Sequence, residues 1–473
     1  MTRVRALLVV VACVVVLKPT AAQTRALTPD QQLARDIFRE LVEINTSFKG
    51  GSTAPAVKAV AERFVKAGFP PSDVSIIGPQ GDKDPNVIVR MRGSSTASPI
   101  LLLAHLDVVE ALRSDWSMDP FTFNERDGYF YGRGSSDIKD GAATLIAAML
   151  RLKREGVTPA RTLILALTAG EEGGGGYNGV SWLLANHRDL IDAGLCLNVD
   201  GGDPLIKNGK RVLRSVQSSE KQFLSFRLEV TNPGGHSSLP VKDNAIYHLA
   251  AGLDRLARYE FPVHLNETTR AYFARYADLE SGQTAKDMRA IAVNDHDTAA
   301  ANRLSASPFY NAQLRTTCVA TMLEAGHAEN ALPQTARAVV NCRILPEETP
   351  TLIRETLVKV LTDPAIHVTP LQEPGPNVAS KLSPAVMGPV DRVTERLLPG
   401  VPVIPQMETG ATDGAYLRVA SIPTYGVSGV FIDMDDNRAH GRDERILVKE
   451  FYDGVEFIYQ LVRELANADA NMR

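Results

Sequence analysis

Seven side chains define the chemistry this chain can offer: His105, Asp107, Asp137, Glu171, Glu172, Asp200 and His440. They lie in five short segments: ILLLAHLD ending at Asp107, GRGSSDIKD around Asp137, LILALTAGEE ending at Glu172, LCLNVD ending at Asp200, and AHGRDE around His440. Each segment reads as the end of a parallel strand or the loop beyond it. In an open α/β sheet such loops converge on one crevice. Two imidazoles among several carboxylates make a donor set suited to a pair of divalent cations, and water beside such ions becomes a nucleophile near neutral pH. The chemistry implied is metal-assisted hydrolysis.

Taken one at a time the signals are modest. Asp107 stands two residues beyond His105, and on a strand that spacing puts both on one face, so Asp107 is expected to accept the second ring N–H of His105. A structural histidine and a helix-capping aspartate fit the same pair. Asp137 follows Gly132 and Gly134 and alone reads better as a helix N-cap. Asp200 precedes Gly201-Gly202 and alone reads as a turn residue. His440 alone reads as a solvent-facing histidine. Glu171-Glu172 is the strongest local oddity, because adjacent acids at the end of an apolar strand repel and lose hydration unless metal and protons compensate. One of them can ligate while the other serves as general base.

The elements that must position these residues follow from periodicity. Leu33, Ile37, Phe38, Leu41 and Val42 recur at helical spacing, and a second helix is predicted over Ala54 to Ala67. Strands at 86–93, 100–107, 163–170 and 195–200 then alternate with helices from Lys139 to Arg154 and Gly179 to Asn186. Their continuous apolar runs indicate strands buried on both faces. Beyond Gln217 the pattern becomes alternating, and the order strand, helix (Ala245–Arg258), strand (Thr316–Leu323), strand (Ala336–Ile344), helix (Pro350–Leu361), strand (His367–Leu371) is ferredoxin-like. A mostly helical insert from Phe261 to Tyr310 interrupts it, and EPGPN at 373–377 reads as a return linker. The fold class expected is α/β. A helix–sheet–helix di-metal catalytic domain is built from residues 23–216 and 378–473, and a ferredoxin-like α+β lid or dimerisation domain, 217–377, is inserted into it.

A net charge of −4 with no basic stripe excludes nucleic acid as a partner. The first residues carry Arg3 and Arg5, an apolar run from Ala6 to Leu17, and small residues Ala21 and Ala22. That is the layout of a secretory signal peptide, residues 1–22, and the run is too short for stable membrane insertion. Val10 to Cys13 resembles a lipobox, but the following stretch stays apolar where a lipoprotein turns polar. The expected location is therefore periplasmic or secreted. Cys196, Cys318 and Cys342 form no disulfide framework. A Cys318–Cys342 bridge stays open as the less favoured reading.

In order and position, the five segments resemble metallopeptidase family twenty, the group of glutamate carboxypeptidase, aminoacylase, acetylornithine deacetylase and succinyl-diaminopimelate desuccinylase. The resemblance covers almost the whole mature chain. GATDGAYLR and AHGRDERI are closest to the Gly-X carboxypeptidase and peptidase-D subgroup, from which the Phe261–Tyr310 insert departs. The resemblance implies two zinc ions, with cobalt or manganese suiting the same donors. His105 and Asp200 would hold one and Glu172 and His440 the other, with Asp137 bridging, Asp107 orienting His105 and Glu171 as base. It also implies that His236, in GGHSS, polarises the scissile carbonyl, often from a partner subunit, which makes a homodimer through the inserted domain a candidate assembly. Asn330 is implied to contact substrate, Arg343 to clamp its carboxylate with two parallel hydrogen bonds, and Gly410 to line the site. The reaction implied is hydrolysis of an amide next to a free carboxylate, as in a carboxypeptidase or dipeptidase. An N-acyl-amino-acid amidohydrolase is the alternative. A non-catalytic binding protein is a remote one, since such a module has no use for Glu171 beside two metals.

Overall fold

Ile100–His105 and Leu163–Thr168 are buried at every residue, as parallel strands must be when helices cover both faces of their sheet. They pair with each other in parallel, Ile100 opposite Leu163 and His105 opposite Thr168. Leu195–Asn198 joins the other side of Ile100–His105, also in parallel. Three carboxyl ends therefore lie side by side. In this computed structural model, which describes residues 26–81, 83–173, 177–373 and 378–467, these strands are the centre of a ten-stranded mixed sheet. The expected signal peptide at 1–22, three of the glycines after Glu172 and most of the 373–377 linker lie outside the described residues.

The helix Pro29–Glu43 begins with a capping box between Thr28 and Gln31 and with Pro29 in its first turn. It buries Ala34, Ile37, Phe38, Leu41 and Val42, the stripe that a 3.6-residue repeat directs inward. Phe38 stacks on Phe451 of the helix Val448–Asn467, with ring centroids 4.8 Å apart. Together with Lys139–Arg154 these helices cover one face of the sheet, while Gly179–Asn186 and Gly414–Val419 cover the other. Each large apolar side chain so buried contributes roughly 1.5–3 kcal/mol.

A second, antiparallel sheet runs in the order Thr317–Ala325, Thr335–Ile344, Gln222–Thr231, His367–Pro370. Leu224, Phe226, Leu228 and Val230 alternate inward and pack with Leu249, Ile353 and Leu357 of two helices, Ala245–Arg258 and Pro350–Leu361. Only Lys221 separates Lys210–Glu220 of the large sheet from Gln222–Thr231 of the small one. The helices between 267 and 314 bury Tyr272, Phe273, Met288 and Ile291 against Leu213 and Ile404. The insert thus packs on the large sheet.

One expectation fails here. Cys318 and Cys342 form a disulfide, where free thiols were the favoured reading. The two residues stand directly opposite each other on adjacent antiparallel strands, a register that their spacing in sequence does not reveal. Cys196 is the buried free thiol. Among the described residues no helix is long and apolar enough to cross a membrane.

Candidate active site

The strand end at His105 and the loops after Thr168 and Asn198 bring the acids together. Gly170 turns the chain with φ near +81°, and a Cβ there would meet the carbonyl oxygen of Tyr177 at 2.0 Å, so the turn that presents Glu171 and Glu172 requires glycine. His105 is buried, and its Nε2 lies 3.2 Å from Asp137, 3.9 Å from Glu171 and 4.0 Å from Asp200. His440 Nε2 lies 3.0 Å from Asp137 and 3.0 Å from Glu172. Asp137 turns Oδ1 to one imidazole and Oδ2 to the other. The result is two adjacent donor sets sharing Asp137, one around His105 and Asp200, the other around His440 and Glu172. Ligand atoms of His105, Glu171 and Asp200, and of His105, Asp137 and Glu172, lie within 4.8 Å of one another.

The donor set fits divalent cations on its own chemistry. His105 Nδ1 lies 2.9 Å from the carbonyl oxygen of Asp107. A carbonyl only accepts, so Nδ1 carries a proton, and Nε2 is the ring nitrogen turned to the carboxylates, which outweigh burial and hold His105 protonated above its ordinary range until a cation takes that proton's place. Nε2 is buried without a well-formed hydrogen bond of its own and faces carboxylate oxygens, an arrangement that a cation resolves. Burial holds the carboxyls of Glu171 and Asp200 well above their ordinary range, and it pushes Asp203 up to about 8 and Asp413 up to about 6. Asp137 and Glu172 raise His440 to about 10. Burial opposes the charge on Asp137, but the two imidazoles outweigh it and hold this carboxyl below the usual range. The cluster therefore binds protons when no cation is present, and cations displace them.

Asp107 departs from its expected role. The strand stops at His105, so the two-residue alternation ends there as well, and the side chain turns towards the neighbouring strand end. Its carboxylate accepts the backbone N–H groups of Glu171 at 3.3 Å and Glu172 at 3.0 Å. It is the Asp107 carbonyl, and not its carboxylate, that orients His105.

A cavity of about 380 Å³ adjoins Glu171, walled by Gly170, Tyr177 and Asn178 on one side and by Thr412, Asp413 and Tyr416 on the other. Arg343 packs over the Phe223 ring at 4.8 Å and donates to the Thr409 carbonyl at 3.3 Å, so it borders the segment carrying Gly410, which itself is exposed with open space around it. His236 and Asn330 are brought to each other: Gly235–His236 pairs with Ala331–Leu332, and Ser237 N–H donates to the Asn330 carbonyl at 3.0 Å. Both face solvent, and the His236 ring meets Ser238.

Among the buried acids that sequence reasoning did not single out, Glu220 and Glu444 shape the site. Glu220 accepts from Thr412 N–H (3.0 Å), Thr412 Oγ1 (2.9 Å), Gln217 (2.8 Å) and Arg418 (2.9 Å), which fixes the loop on the far wall of the cavity. Glu444 is fully buried beneath the loop that carries Asp137. The available signal was an acid at the inner end of a strand in one case and an acid four residues after His440 in the other.

Residues 101–464 match the model of Peptidase family M20/M25/M40. The N-fatty-acyl-amino acid synthase/hydrolase PM20D1 of Homo sapiens is 28% identical over 456 residues, covering 91% of this chain and 89% of that protein. The M20 family metallo-carboxypeptidase Sso-CP2 from Sulfolobus solfataricus superposes with a TM-score of 0.67 at 17% identity, covering 93% of this chain and 100% of that one. The Bacillus subtilis YXEP protein, a dinuclear metal binding peptidase of the M20 family, gives a TM-score of 0.58 at 13% identity, covering 92% of this chain and 97% of that one.

Proposed function

The chain belongs to peptidase family M20/M25/M40, a family of metallopeptidases and amidohydrolases, and from that membership we propose an exported two-metal enzyme that hydrolyses an amide bond next to a free carboxylate. The observation that carries this reading is the placing of Asp137 between two imidazoles, at 3.2 Å from His105 and 3.0 Å from His440. His105, Asp200 and Asp137 would hold one zinc ion and Glu172, His440 and Asp137 a second, which together supply Lewis acidity and lower the pKa of water. Glu171 takes a proton from the attacking water and returns it to the leaving nitrogen, a role favoured by a carboxyl that burial makes more basic than an ordinary glutamate. Arg343 binds the free carboxylate of the substrate. His236, exposed in the single chain, donates to the developing oxyanion, delivered by closure of its own chain or by a second subunit.

A dipeptide and an N-acyl amino acid both present an amide beside a carboxylate. Likeness to PM20D1 supports the acyl reading, and membership of a peptidase family supports the peptide reading. The test is a panel of dipeptides, N-acetyl and N-long-acyl amino acids with added zinc. Cleavage of dipeptides is expected, and turnover confined to acylated substrates would reassign the enzyme as an aminoacylase.

Export is supported by the leader layout of residues 1–22 and by the Cys318–Cys342 disulfide, since such bonds persist in oxidising compartments. A homodimer is supported by the edge strand Thr317–Ala325, where Val319, Met322 and Leu323 are 61%, 67% and 68% exposed. Light scattering of the purified protein checks this, and a monomer across the working concentration range would remove it.

A further inference from the structure

The Asp137 and His440 loops are locked together by one buried ion pair. Glu444 and Arg133 have side chains exposed by 0% and 3%, and their charged ends meet at 2.6 Å. The Glu444 carboxylate collects four donors of the Asp137 loop. Oε2 accepts from Gly134 N–H at 3.0 Å. Oε1 accepts from Ser136 N–H at 2.7 Å, Ser136 Oγ at 3.0 Å and Asp137 N–H at 3.2 Å. Arg133 works in the opposite direction, donating Nη2 to the carbonyls of Gly441 at 3.0 Å and His440 at 3.4 Å. Its guanidinium lies over the Trp116 ring at 5.0 Å. Gly132 N–H donates to the Glu444 carbonyl at 3.1 Å, closing the link through the backbone.

The lock has work to do because His440 sits at φ 61°, in the left-handed region that a residue with a Cβ enters only when its surroundings hold it there. Relaxation of that loop would carry the imidazole away from Asp137; Asp443 in the same loop is also anchored, but to Ser117 N–H at 2.9 Å and not to the Asp137 loop. His105, by contrast, is fixed by a central strand and does not depend on this pair.

We propose that Glu444, acting with Arg133, is a positioning residue that sets the Asp137–His440 separation and thereby the affinity of the second cation, the one on the His440 side. The inference rests on the two-metal reading above. It further distinguishes the two cations: both share Asp137, but one keeps His105 and Asp200 at the strand ends of the large sheet, whereas the other depends on His440, whose loop is held by a lock that a single substitution can open.

The experiment is Glu444→Gln in the full-length purified enzyme, read by zinc stoichiometry in a metal buffer and by the visible spectrum after cobalt substitution. A glutamine keeps the shape but replaces one accepting oxygen with an NH2 group, which cannot accept from the loop's N–H groups. Zinc content should fall from near two equivalents to near one at a free zinc level that saturates the wild type, with the weaker site losing on the order of 10–100-fold in affinity. Activity should return at high free zinc, and the cobalt spectrum should keep only the His105-side component. Arg133→Lys retains the charge and loses the fork, and it should show the same selective loss to a smaller degree, which keeps the test in force if Glu444→Gln does not fold. Two equivalents bound with unchanged affinities in a folded variant would overturn the proposal and leave the two-metal reading intact. A wild type that binds fewer than two would instead overturn that reading.

Discussion

The carboxylate of Asp107 accepts the backbone N–H of Glu172 at 3.0 Å. Through that bond, and a second to Glu171 N–H at 3.3 Å, the end of one strand sets the direction of two acids on the next. Asp107→Ala should therefore disturb the two glutamates while leaving the His105 tautomer in place, because the Asp107 carbonyl survives the substitution. The expected result is a fall in kcat with one zinc equivalent retained, read by metal analysis beside kinetics. Loss of both ions together would show that the carboxylate supports His105 after all.

Glu171→Gln should keep metal content near that of the wild type and lower kcat by about 10²–10⁴-fold, the range for removing a general base. Glu172→Gln should lose one metal equivalent. If the two phenotypes are exchanged, so are the two roles.

Arg343→Ala should lower kcat/KM for free-acid substrates on the order of 10- to 100-fold, as expected for a charge-assisted hydrogen bond, and should change little for the matching C-terminal amides. Equal losses on both, or efficient amide cleavage by the wild type, would remove the carboxylate clamp.

The metal-free protein should lose stability as pH rises. His440 is raised from 6.5 to about 10 by Asp137 and Glu172, so the stability from its ion pairs is complete below about 6.5 and disappears as pH passes through about 10. Glu171 and Asp200, held well above their ordinary range by burial, act in the same direction. Calorimetry with chelator should show the melting temperature falling across this window more steeply in the wild type than in His440→Gln. The gain on adding zinc should grow over the same window, since zinc competes with those protons. Parallel profiles for the two proteins would refute the assignment.

Reducing the Cys318–Cys342 bond opens a loop spanning 24 residues, for which chain entropy gives about 3.5 kcal/mol. Cys318→Ser/Cys342→Ser should melt at a lower temperature under non-reducing conditions and match the wild type in reductant. An unchanged melting temperature would mean that the bond does not form in the purified protein.

The chemistry was legible where it rode on local pattern. Unbroken apolar runs such as Ile100–Leu103 indicate strands buried on both faces, and the acids that follow such runs fall at one edge of the sheet. What depends on register or on distant packing was not legible. Asp107 was misassigned because where a strand stops decides which way its last side chain points. Cys318 and Cys342 meet only because two strands pair in one register. The helices between 267 and 314 rest on Leu213 and Ile404, partners that no pattern within the insert specifies. Glu220 and Glu444 act through Thr412, Arg418, Arg133 and the Asp137 loop, partners far away in sequence that no local pattern specifies.

The position of His440 and Glu444 near the end of the chain sets an order of assembly on the ribosome. A nascent chain that has emerged as far as Asp200 already owns the central strands and the His105 set, but it has neither the second imidazole nor the carboxylate that grips the Asp137 loop. Those arrive only after the small sheet and the helical insert have been made and after Thr424–Gly426 has added itself beside Leu195–Asn198. A chain that stops short of them therefore holds one donor set without the other, and its two-cation centre cannot yet form.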